Sequence, residues 1–499
     1  MISQDDIIYF VLTDRFKNGE AANDAGVDVS RDKAFHGGDF AGLIEKIPYF
    51  QTLGVTTIWI TPVYVNITDF FGSAGYHGYW PIDFELVDGH LYSAKERRKK
   101  GSKAYLKDLV TAFHAKGLKL ILDMVVNHTG YHTPEYNAYP DKRFDDSHFN
   151  APNQWDDVNQ WLYGLPDLDH DNPDVGDYFV QNILEWIAAT GIDGIRMDTV
   201  RHVEDRFWYL FKSQIKTKYP NLTLLGEILD WNPDYIGQFQ QKHDFDTVFD
   251  FPLCGAIKAC LIYDAPMTSL ARPRLHDAEP QGMLDRNKEY SNANRLVTLL
   301  DNHDLSSRIM TEILDRVGHW DRELAKAILK TCLTIIFTTR GIPQVYYGTE
   351  IGMEGGGDPD NRRDMPWDVF GADNRPTPTN TFQRDIFDHA AALCKIRSGN
   401  PAIRTGYLLT LYVDTFVYVY LREFQGNIVI VAINNGHEAM PFPLPVKVTE
   451  NGNIPSRIKS LLADGTRLES KLPGSLDITM QGGKFEIQLG RKSAGVWCK

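Results

Sequence analysis

Short apolar segments rich in Ile, Val and Thr recur between residues 7 and 347 and alternate with helix-like segments. Most of them lack polar alternation, which predicts strands buried on both faces, as in a parallel sheet covered by helices. The candidate strands are Ile7–Thr13, Thr56–Pro62, Leu118–Val126, Ile192–Asp198, Leu222–Glu227, Phe245–Asp250, Leu296–Asp301 and Pro343–Tyr347. The candidate helices include Ser102–Lys116, Pro173–Ala189 and Asp321–Phe337. Eight such alternations predict a closed (β/α)8 barrel, in which the active site lies at the C-terminal ends of the strands.

An open, doubly wound sheet is the alternative fold. It predicts a glycine-rich phosphate-binding turn directly after the first strand. The chain instead carries Thr-Asp-Arg-Phe-Lys-Asn-Gly at positions 13–19, which does not match that turn. The barrel is therefore the predicted fold.

Two stretches interrupt the alternation and predict additional domains. Residues 129–172 are polar and too long for a simple loop, which predicts a subdomain inserted after the third strand. After residue 404, short strands separated by Gly and Asn turns predict an antiparallel β-sandwich. The predicted order is barrel (1–128), inserted domain (129–172), barrel (173–404) and C-terminal β domain (405–499).

Composition limits the classes of partner. The net charge is −14 and there is no basic stripe, which argues against nucleic acid or an anionic membrane as a partner. Five cysteines without CxxC spacing argue against a disulfide framework and a cysteine zinc site. The N-terminus does not resemble a signal peptide, so we expect a cytoplasmic protein, with removal of a leader as the alternative. The sequence does not define the oligomeric state.

Charged residues collect at the predicted strand ends. Arg196 and Asp198 are two residues apart, so on a strand they point to the same face. A buried ion pair that only stabilises the barrel is the structural alternative. Carboxylates also stand at the ends of the third, fifth and seventh strands, in Asp123, Glu227 and the pair Asp301 and Asp304. Asp123 and Asp301 could equally cap the helices that follow them.

Convergence of Asp198, Glu227 and Asp304 with Arg196, His128 and His303 at one rim predicts an active site. Two neighbouring carboxyl groups whose environments separate their pKa values suit the roles of acid and nucleophile. Glycoside cleavage uses such a pair most directly. A metal-dependent hydrolase, which also gathers Asp and His at barrel ends, is the alternative.

The motifs at these positions resemble those of the α-amylase superfamily, family 13 of the glycoside hydrolases. In the family's order they are DMVVNH (123–128), LPDLD (165–169), GIRMDTVRH (194–202), GEI (226–228) and LLDNHD (299–304), with YHGYW (76–80) and GGGDPDNRR (355–363) as further matches. The resemblance implies a retaining α-glucan enzyme with Asp198 as nucleophile, Glu227 as general acid/base and Asp304 as the third carboxylate. We expect Arg196 to keep Asp198 charged, and burial and nearby negative charge to raise the pKa of Glu227.

The resemblance also implies a set of substrate-binding residues. Those expected around the sugar at the cleavage point are His77, Tyr79, His128, Arg196 and His303. Those expected on either side of it are Asp358 and Arg362 toward the non-reducing end, and Arg201 and His202 toward the acceptor. The substrate is expected to be an α-glucan.

Two calcium sites follow from the same resemblance. The first is expected to use Asn127, Asp169 and the carbonyl oxygen of His202, and to tie the inserted domain to the barrel. The second resembles the amino-terminal calcium loop of cyclodextrin glucanotransferases and would comprise Asn18, Glu20, Asn23, Asp24, Gly37 and Asp39. Oxygen ligands of this kind suit Ca²⁺. Asn18 and Glu20 depart from the family pattern, and a plain Asx-rich turn is the alternative for the second site.

Two positions give opposite indications about the reaction's outcome. Tyr163 matches the central aromatic residue of the cyclodextrin glucanotransferases, around which their substrates wrap. Leu229, however, stands where those enzymes favour an aromatic residue that shields the intermediate from water. We predict hydrolysis of α-1,4-glucosidic bonds in starch-like polysaccharides or maltooligosaccharides. The alternative is 4-α-glucanotransferase, cyclodextrin glucanotransferase or cyclomaltodextrinase activity. A non-catalytic relative would be expected to lack at least one of the three carboxylates, and all three are present.

Overall fold

The structure, a computed structural model, describes residues 1–93, 101–131, 144–152, 154–272, 282–452 and 454–499. The strands in these ranges are β1 (Ile8–Val11), β2 (Thr57–Ile60), β3 (Tyr64–Asn66), β4 (Pro81–Val87), β5 (Lys119–Met124), β6 (Gly194–Met197), β7 (Thr223–Gly226), β8 (Thr247–Val248), β9 (Val297–Thr298), β10 (Ile342–Tyr346), β11 (Tyr407–Val413), β12 (Val417–Phe424), β13 (Asn427–Asn434), β14 (Leu444–Lys447), β15 (Arg467–Ser470), β16 (Ile478–Thr479), β17 (Lys484–Ile487) and β18 (Ser493–Cys498).

The α-helices in the same ranges alternate with the strands over most of the chain. They are α1 (Thr13–Phe16), α2 (Phe40–Glu45), α3 (Ile47–Leu53), α4 (Lys103–His114), α5 (Pro173–Thr190), α6 (Asp205–Lys218), α7 (Pro233–Lys242), α8 (Phe251–Leu261), α9 (Ile309–Val317), α10 (Arg322–Thr338), α11 (Thr381–Gly399), α12 (Pro401–Thr405) and α13 (Ser456–Leu461). The three helices predicted from amphipathic pattern agree with α4, α5 and α10 to within two residues at each end. Within the described part of the chain, no helix is long and apolar enough to cross a bilayer.

Eight parallel strands form a barrel. Their order is β8-β7-β6-β5-β2-β1-β10-β9, and every neighbouring pair is parallel. A parallel bridge between Phe249 and Val297 joins the two edges, and the backbone N–H of Asp250 donates to the carbonyl oxygen of Val297 at 2.8 Å. The predicted (β/α)8 barrel is therefore confirmed, and each predicted strand contains or overlaps the observed one.

Stacked aromatic rings fill the barrel beneath the site. The ring of Phe10 lies 3.6 Å from that of Trp59 at an interplanar angle of 14°, and 5.2 Å from that of Tyr346. The guanidinium carbon of Arg196 lies 5.3 Å from the ring of Trp59. Because all these side chains are fully buried, Arg196 rests on a rigid apolar support at the C-terminal ends of the strands.

Long connections after β2 and β5 extend from this end of the barrel. The first contains the antiparallel pair β3–β4, and His77 and Tyr79 lie between these two strands. The second contains short 3₁₀ turns in its described part, together with antiparallel bridges His128–Asp167 and Phe149–Leu168. Residues 132–143 and 153 of the predicted inserted domain lie outside the described residues. The domain boundaries stay predictions.

The C-terminal region is an antiparallel sandwich, as predicted. A six-stranded sheet in the order β11-β12-β13-β18-β15-β16 packs on the pair β14–β17. Val419 and Leu421 of β12 share one apolar core with Phe485 and Ile487 of β17. The alternate residues of β12 face the barrel, where the hydroxyl groups of Tyr420 and Thr338 are 2.5 Å apart. Because successive residues of a strand point to opposite faces, β12 is buried on one face inside the sandwich and on the other face against the barrel.

Candidate active site

Arg196 on β6 is the centre of a group of buried carboxyl groups. Its Nη1 lies 2.5 Å from Asp198 Oδ1 and 2.9 Å from Asp123 Oδ1. Its Nη2 lies 2.6 Å from Glu227 Oε1 and 4.0 Å from Asp304 Oδ2. Asp198 and Glu227 follow β6 and β7 directly, and neighbouring parallel strands end at the same rim, so the chain brings these groups together as expected.

Glu227 is buried beside two other acidic groups. Burial raises the pKa of Glu227 to about 8, the charges of Asp198 and Asp304 act in the same direction, and Arg196 opposes them. The other carboxyl oxygen, Oε2, accepts from the backbone N–H of Thr199 at 3.2 Å. This confirms the expected direction of the pKa shift. Glu227 is therefore protonated at neutral pH and can donate a proton.

Asp123 at the end of β5 belongs to the same group and does not cap a helix. Its Oδ2 accepts from the hydroxyl of Tyr79 at 2.6 Å and from Nε1 of Trp59 at 3.0 Å. Burial raises the pKa of Asp123 to about 7, although Arg196 lowers it. Asp301, in contrast, contacts the helix that follows it. Its Oδ2 accepts from the N–H of Ile309, the first residue of α9, at 3.0 Å. The amino-acid sequence is compatible with either role for each of these two residues.

Two asparagine side chains form hydrogen bonds with the backbone of the loop that carries Asp304. Asn302 Oδ1 accepts from the N–H groups of Asp304 and Leu305, each at 3.0 Å. Asn361 Nδ2 donates to the carbonyl oxygens of His303 and Leu305, each at 3.0 Å. Asn361 is 1% exposed and was missed by the sequence analysis, although it lies inside the GGGDPDNRR motif. These contacts fix the backbone on both sides of Asp304.

Three buried histidines surround the group. His303 Nε2 lies 3.2 Å from Asp304 Oδ2, and its ring stacks on that of Tyr79 at 5.0 Å and 13°. His77 Nδ1 accepts from the N–H of Tyr79 at 3.0 Å, and His128 Nε2 is 3.1 Å from the Tyr79 carbonyl oxygen. Burial lowers the pKa of all three, that of His77 and His303 to well below the usual value. The imidazoles are therefore neutral, each with a single N–H group. That of His77 is on Nε2, because Nδ1 accepts, and it can donate to a sugar, whereas that of His128 is directed at the Tyr79 carbonyl oxygen.

Arg362 links Asp304 to the loop after β10. Its Nη2 lies 3.6 Å from Asp304 Oδ1, and its Nη1 lies 3.1 Å from Asp358 Oδ1. The hydroxyl of Tyr76 also reaches Asp358 Oδ1, at 3.4 Å. Asp358 and Arg362, which the sequence analysis paired, therefore lie in contact beside the third carboxylate.

The residues expected on the acceptor side lie around a second arginine. Arg201 Nη2 is 2.5 Å from Asp157 Oδ2, and its Nη1 is 3.2 Å from Asp230 Oδ2. His202 Nδ1 lies 2.5 Å from the carbonyl oxygen of Asp157. Leu229, whose carbonyl oxygen is 3.3 Å from Arg201 Nη1, is 40% exposed. An aliphatic side chain thus stands open to solvent at the position expected to control water access.

The first candidate calcium site differs in one residue from the predicted set. Asn127 Nδ2 donates to Asp167 Oδ1 at 3.0 Å, while Asn127 Oδ1 is buried without a partner. Asp169 Oδ1 instead accepts from the N–H of Asp171 at 2.9 Å and of Asn172 at 3.3 Å. Asp167 therefore replaces Asp169 beside Asn127, because Asp169 is engaged in the turn that leads into α5. A buried oxygen without a donor fits a cation there.

The second candidate calcium site gathers all six predicted residues in one loop. Asp39 accepts from the N–H groups of Gly19 and Glu20 at 3.1 and 2.9 Å, and from Asn23 Nδ2 at 3.1 Å. Asn18 Nδ2 donates to both carboxyl oxygens of Asp24, at 3.0 and 2.9 Å. A Cβ on Gly37 would lie 2.5 Å from Asn18 Nδ2 and 2.9 Å from Asp24 Oδ1. Asn23 Oδ1 is buried without a partner, so these residues also fit an oxygen-bound cation.

Neither candidate site is built mainly from charged side chains. In the described ranges, no group of three or more His, Cys, Asp or Glu side chains is arranged to hold a metal ion. A cation at either position would depend on amide and carbonyl oxygens as well as carboxylates.

A (β/α)8 barrel with acidic groups converging at its C-terminal rim suits glycoside cleavage as well as metal-dependent hydrolysis. A family model for the α-amylase catalytic domain matches residues 10–390. The chain therefore belongs to the α-amylase family, family 13 of the glycoside hydrolases, and is a glycosidase-family enzyme. Membership of this family argues against the metal-dependent hydrolase that was the alternative interpretation of the sequence.

Two relatives align with almost the whole of this chain. A β/α-amylase of Paenibacillus polymyxa is 32% identical over 510 residues, which cover 99% of this chain and 38% of that protein. A cyclomaltodextrin glucanotransferase of Bacillus licheniformis is 30% identical over 533 residues, which cover 99% of this chain and 66% of that protein. The chain thus spans less than two thirds of the length of both.

A solved structure matches over nearly its full length. The α-amylase of Anoxybacillus superposes with a TM-score of 0.81 at 32% identity, covering 99% of this chain and 98% of that chain. The fold of barrel and C-terminal sheet is therefore shared with a known α-amylase.

Proposed function

We propose that the protein is a retaining α-glucan hydrolase that cleaves α-1,4-glucosidic bonds in starch-like polysaccharides or maltooligosaccharides. The observation that carries the proposal is the contact of one guanidinium group, that of Arg196, with Asp198 at 2.5 Å and Glu227 at 2.6 Å. A nucleophile and an acid in this proximity suit the double-displacement mechanism.

In the first step, an Asp198 oxygen attacks the anomeric carbon while the glucosidic C–O bond breaks. Glu227, protonated because burial raises its pKa to about 8, transfers its proton to the leaving oxygen. The products are a glycosyl ester on Asp198, a free sugar hydroxyl and a Glu227 carboxylate.

In the second step, the Glu227 carboxylate takes a proton from water, whose oxygen attacks the anomeric carbon. The ester bond to Asp198 breaks and the configuration is retained. Asp304 and the neutral imidazoles of His128 and His303 would hold sugar hydroxyls, and the ring of Tyr79 would lie against the apolar face of the sugar.

We further propose that Ca²⁺ stabilises this arrangement without taking part in the chemistry. Asn127, Asp167 and the carbonyl oxygen of His202 would hold the first ion, joining the segment around residue 167 to β5 and β6. The loop of Asn18, Asn23, Asp24 and Asp39 would hold the second. The orphaned oxygens of Asn127 and Asn23 support this assignment.

Transfer to another sugar is the second candidate outcome. It is favoured by Tyr163, which is 94% exposed where a glucan could wrap around it. It is also favoured by the similarity to the Bacillus licheniformis glucanotransferase. The exposed aliphatic Leu229 would leave water access to the ester and favours hydrolysis.

One variant and one labelling experiment test the proposed roles. Glu227→Gln should lower turnover of maltooligosaccharides by several powers of ten while glucan binding persists, because the proton donor is lost. A 5-fluoroglycosyl fluoride should label Asp198, as identified by peptide mass spectrometry. Near-wild-type turnover of Glu227→Gln, or an adduct on another residue, would contradict the assignment.

A product profile distinguishes hydrolysis from transfer. Starch, maltooligosaccharides, cyclodextrins and pullulan are incubated with the wild-type protein, and reducing ends are measured beside chain lengths. We expect linear products with rising reducing ends. Rings or redistributed chain lengths without new reducing ends would establish transfer instead.

A further inference from the structure

Three arginine side chains lie together at the end of the barrel opposite the candidate active site. They are Arg397 in α11, Arg404 in α12 and Arg422 in β12. Arg397 Nη2 donates to the carbonyl oxygens of Gln4 and Gly341 at 2.8 and 2.6 Å, which places the group beside the residues that precede β1 and β10. Arg397 and Arg422 are each 1% exposed, so their charges lie inside the molecule.

The C-terminal end of α10 connects Arg397 to Arg422. Arg397 Nη1 donates to the carbonyl oxygen of Phe337 at 2.9 Å. Arg422 Nη1 donates to the carbonyl oxygen of Thr339, two residues further along the chain, at 2.5 Å. The two guanidinium groups therefore border the end of one helix, whose dipole offsets about half a positive charge.

Arg404 completes the group. Its Nη1 lies 2.8 Å from Asp5 Oδ1, and Asp5 directly follows the carbonyl group that accepts from Arg397 Nη2. Two residues beyond Arg404, the carbonyl oxygen of Gly406 accepts from Arg422 Nη2 at 2.8 Å. The contacts thus lead from each arginine to the next and return to the first, so the three guanidinium groups border one small region.

The positive charges in this region are not balanced. Within the described residues, Asp5 is the only acid that forms a salt bridge with any of the three arginines, and its side chain is 58% exposed. Glu423, the neighbour of Arg422 on β12, is instead paired with Arg457 at 2.7 Å. Burial and the two neighbouring guanidinium groups lower the pKa of Arg397 to about 9. Three cations, one carboxylate and one helix dipole leave a net positive charge inside the molecule.

Each of the three arginines also carries a buried N–H group without an acceptor. The Nε atoms of Arg397, Arg404 and Arg422 form no hydrogen bond with any described residue. Buried N–H groups are normally paired, and a buried charge requires a partner. Since carbonyl oxygens already accept from the Nη atoms of Arg397 and Arg422, the Nε–H groups are the donors left for a further acceptor.

We propose that a small inorganic anion, of the size of chloride, binds between Arg397, Arg404 and Arg422 and accepts from their Nε–H groups. The anion would supply negative charge where the barrel meets the C-terminal sheet. This site is separate from Asp198 and Glu227 and does not depend on the proposed function. Its occupancy should stabilise the junction of the two domains rather than change the chemistry of the active site.

Thermal unfolding tests the site through its dependence on anion concentration. The full chain is scanned at constant pH, ionic strength and calcium concentration, with chloride replacing the larger gluconate ion. Because an anion that binds only the folded form stabilises it, Tm should rise with chloride. Above the dissociation constant, Tm should rise by an equal step for each tenfold increase in concentration. A Tm that does not change with chloride would overturn the proposal.

Two variants that break the same ion pair separate the anion from the salt bridge. Arg404→Gln removes one donor, and we expect the variant to fold because the side chain is 25% exposed. The chloride concentration needed for a given rise in Tm should increase about tenfold or more, corresponding to one lost charged hydrogen bond. Asp5→Asn removes the competing carboxylate, so the rise in Tm should begin at lower chloride. Equal chloride dependence in Arg404→Gln and wild type, or an unchanged or weaker dependence in Asp5→Asn, would contradict the assignment.

Bromide locates the anion directly. Crystals of the full chain are soaked in bromide, and diffraction is measured at the bromine absorption edge. An anomalous peak should lie within hydrogen-bonding distance of at least two of the three Nε atoms, and this peak should be lost in Arg404→Gln crystals or fall in height. Peaks at other positions only would show that bromide is an adventitious ion only, and the proposed site would then be refuted.

Discussion

At the scale of single residues, the guanidinium of Arg196 forms ion pairs with several carboxyl groups at once. It contacts Asp123, Asp198 and Glu227 within 2.9 Å, and one positive charge cannot balance three buried negative charges. Burial accordingly raises the pKa of Glu227 to about 8 and that of Asp123 to about 7. Incomplete compensation by Arg196 is thus the physical reason why this site can keep an acid protonated at neutral pH.

The raised pKa of Glu227 predicts the alkaline limb of activity. A general acid works only when protonated, so kcat/KM should be full below the pKa and fall as the pH rises through about 8. Asp304→Asn removes one of the charges that raise this pKa, so the limb should move to lower pH in the residual activity of that variant. The measurement is the pH dependence of kcat/KM on a soluble maltooligosaccharide.

Asp230→Asn is the control for this shift. Asp230 lies beside Arg201 at 3.2 Å on the acceptor side and is not among the groups with the largest effects on the pKa of Glu227. The alkaline limb of kcat/KM in Asp230→Asn should coincide with that of the wild-type protein. An alkaline limb that stays in place in Asp304→Asn, or moves to higher pH, would contradict the charge argument.

At the scale of elements, two aspartates two residues apart have different structural partners. Asp167 contacts Asn127 at the end of β5, across the connection, whereas Asp169 organises the turn before α5. Asn172 then caps α5, its side chain accepting from the N–H of Asp174 at 3.1 Å. The segment is therefore attached to the barrel through Asp167 and to the helix through Asp169.

The different contacts of Asp167 and Asp169 predict how the protein responds to metal removal. Calcium at 100 times its dissociation constant should stabilise the wild-type protein by about 2.7 kcal/mol for each of the two proposed sites, because it binds only the folded form. A chelator should lower Tm accordingly. Asp167→Asn should lose the share of this calcium-dependent difference in Tm that the first site contributes and keep the share of the Asn18 loop, measured by scanning calorimetry with calcium and with chelator.

Asp169→Asn is the matched variant for this experiment. An asparagine can still accept the N–H groups of the turn, so the calcium-dependent shift in Tm should persist. A larger loss of the calcium-dependent shift in Asp169→Asn than in Asp167→Asn would support Asn127 and Asp169, the pair predicted from the family resemblance, as the calcium ligands.

At the scale of the whole molecule, the C-terminal sheet is anchored to the barrel by buried polar groups as well as by apolar packing. Arg422 of β12 is 1% exposed and donates to the carbonyl oxygens of Thr339 at 2.5 Å and Gly406 at 2.8 Å. Burial lowers its pKa to about 10. The carbonyl of Thr339 lies just beyond the C-terminus of α10, where the helix dipole favours a cation. The two domains therefore share a hydrogen-bonded boundary.

Arg422→Met should destabilise the protein, because the carbonyl oxygens of Thr339 and Gly406 lose their donor inside the molecule. The expected cost is about 1–3 kcal/mol, visible as a lower Tm. Lys447→Met is the control: its salt bridge to Glu450 is 2.8 Å long, but the two side chains are 64% and 71% exposed. Such exposed pairs contribute little, so Tm should stay close to wild type. Equal decreases in the two variants would contradict the argument.

Much of the architecture was predictable because it depends on local pattern. Buried strands such as β1 and β5 lack polar alternation, and α5 and α10 keep an amphipathic period, so their positions follow from side-chain chemistry. The predicted length of Phe245–Asp250 was too great, since β8 pairs over two residues only. Strand ends depend on the partner strand at the closure of the barrel, which the local pattern does not contain.

The amino-acid sequence by itself determined the barrel, the order of its strands and the shared face of Arg196 and Asp198, because a period of two leaves no other arrangement on a strand. Only the tertiary structure decided that Asp167 rather than Asp169 meets Asn127, that Asn361 holds the backbone around Asp304, and that Tyr131 joins Phe70 to Tyr163. These contacts connect residues 32 to 61 positions apart across irregular loops. Loop conformation, which no periodic pattern encodes, places such side chains, and the detailed shape of the site depends on it.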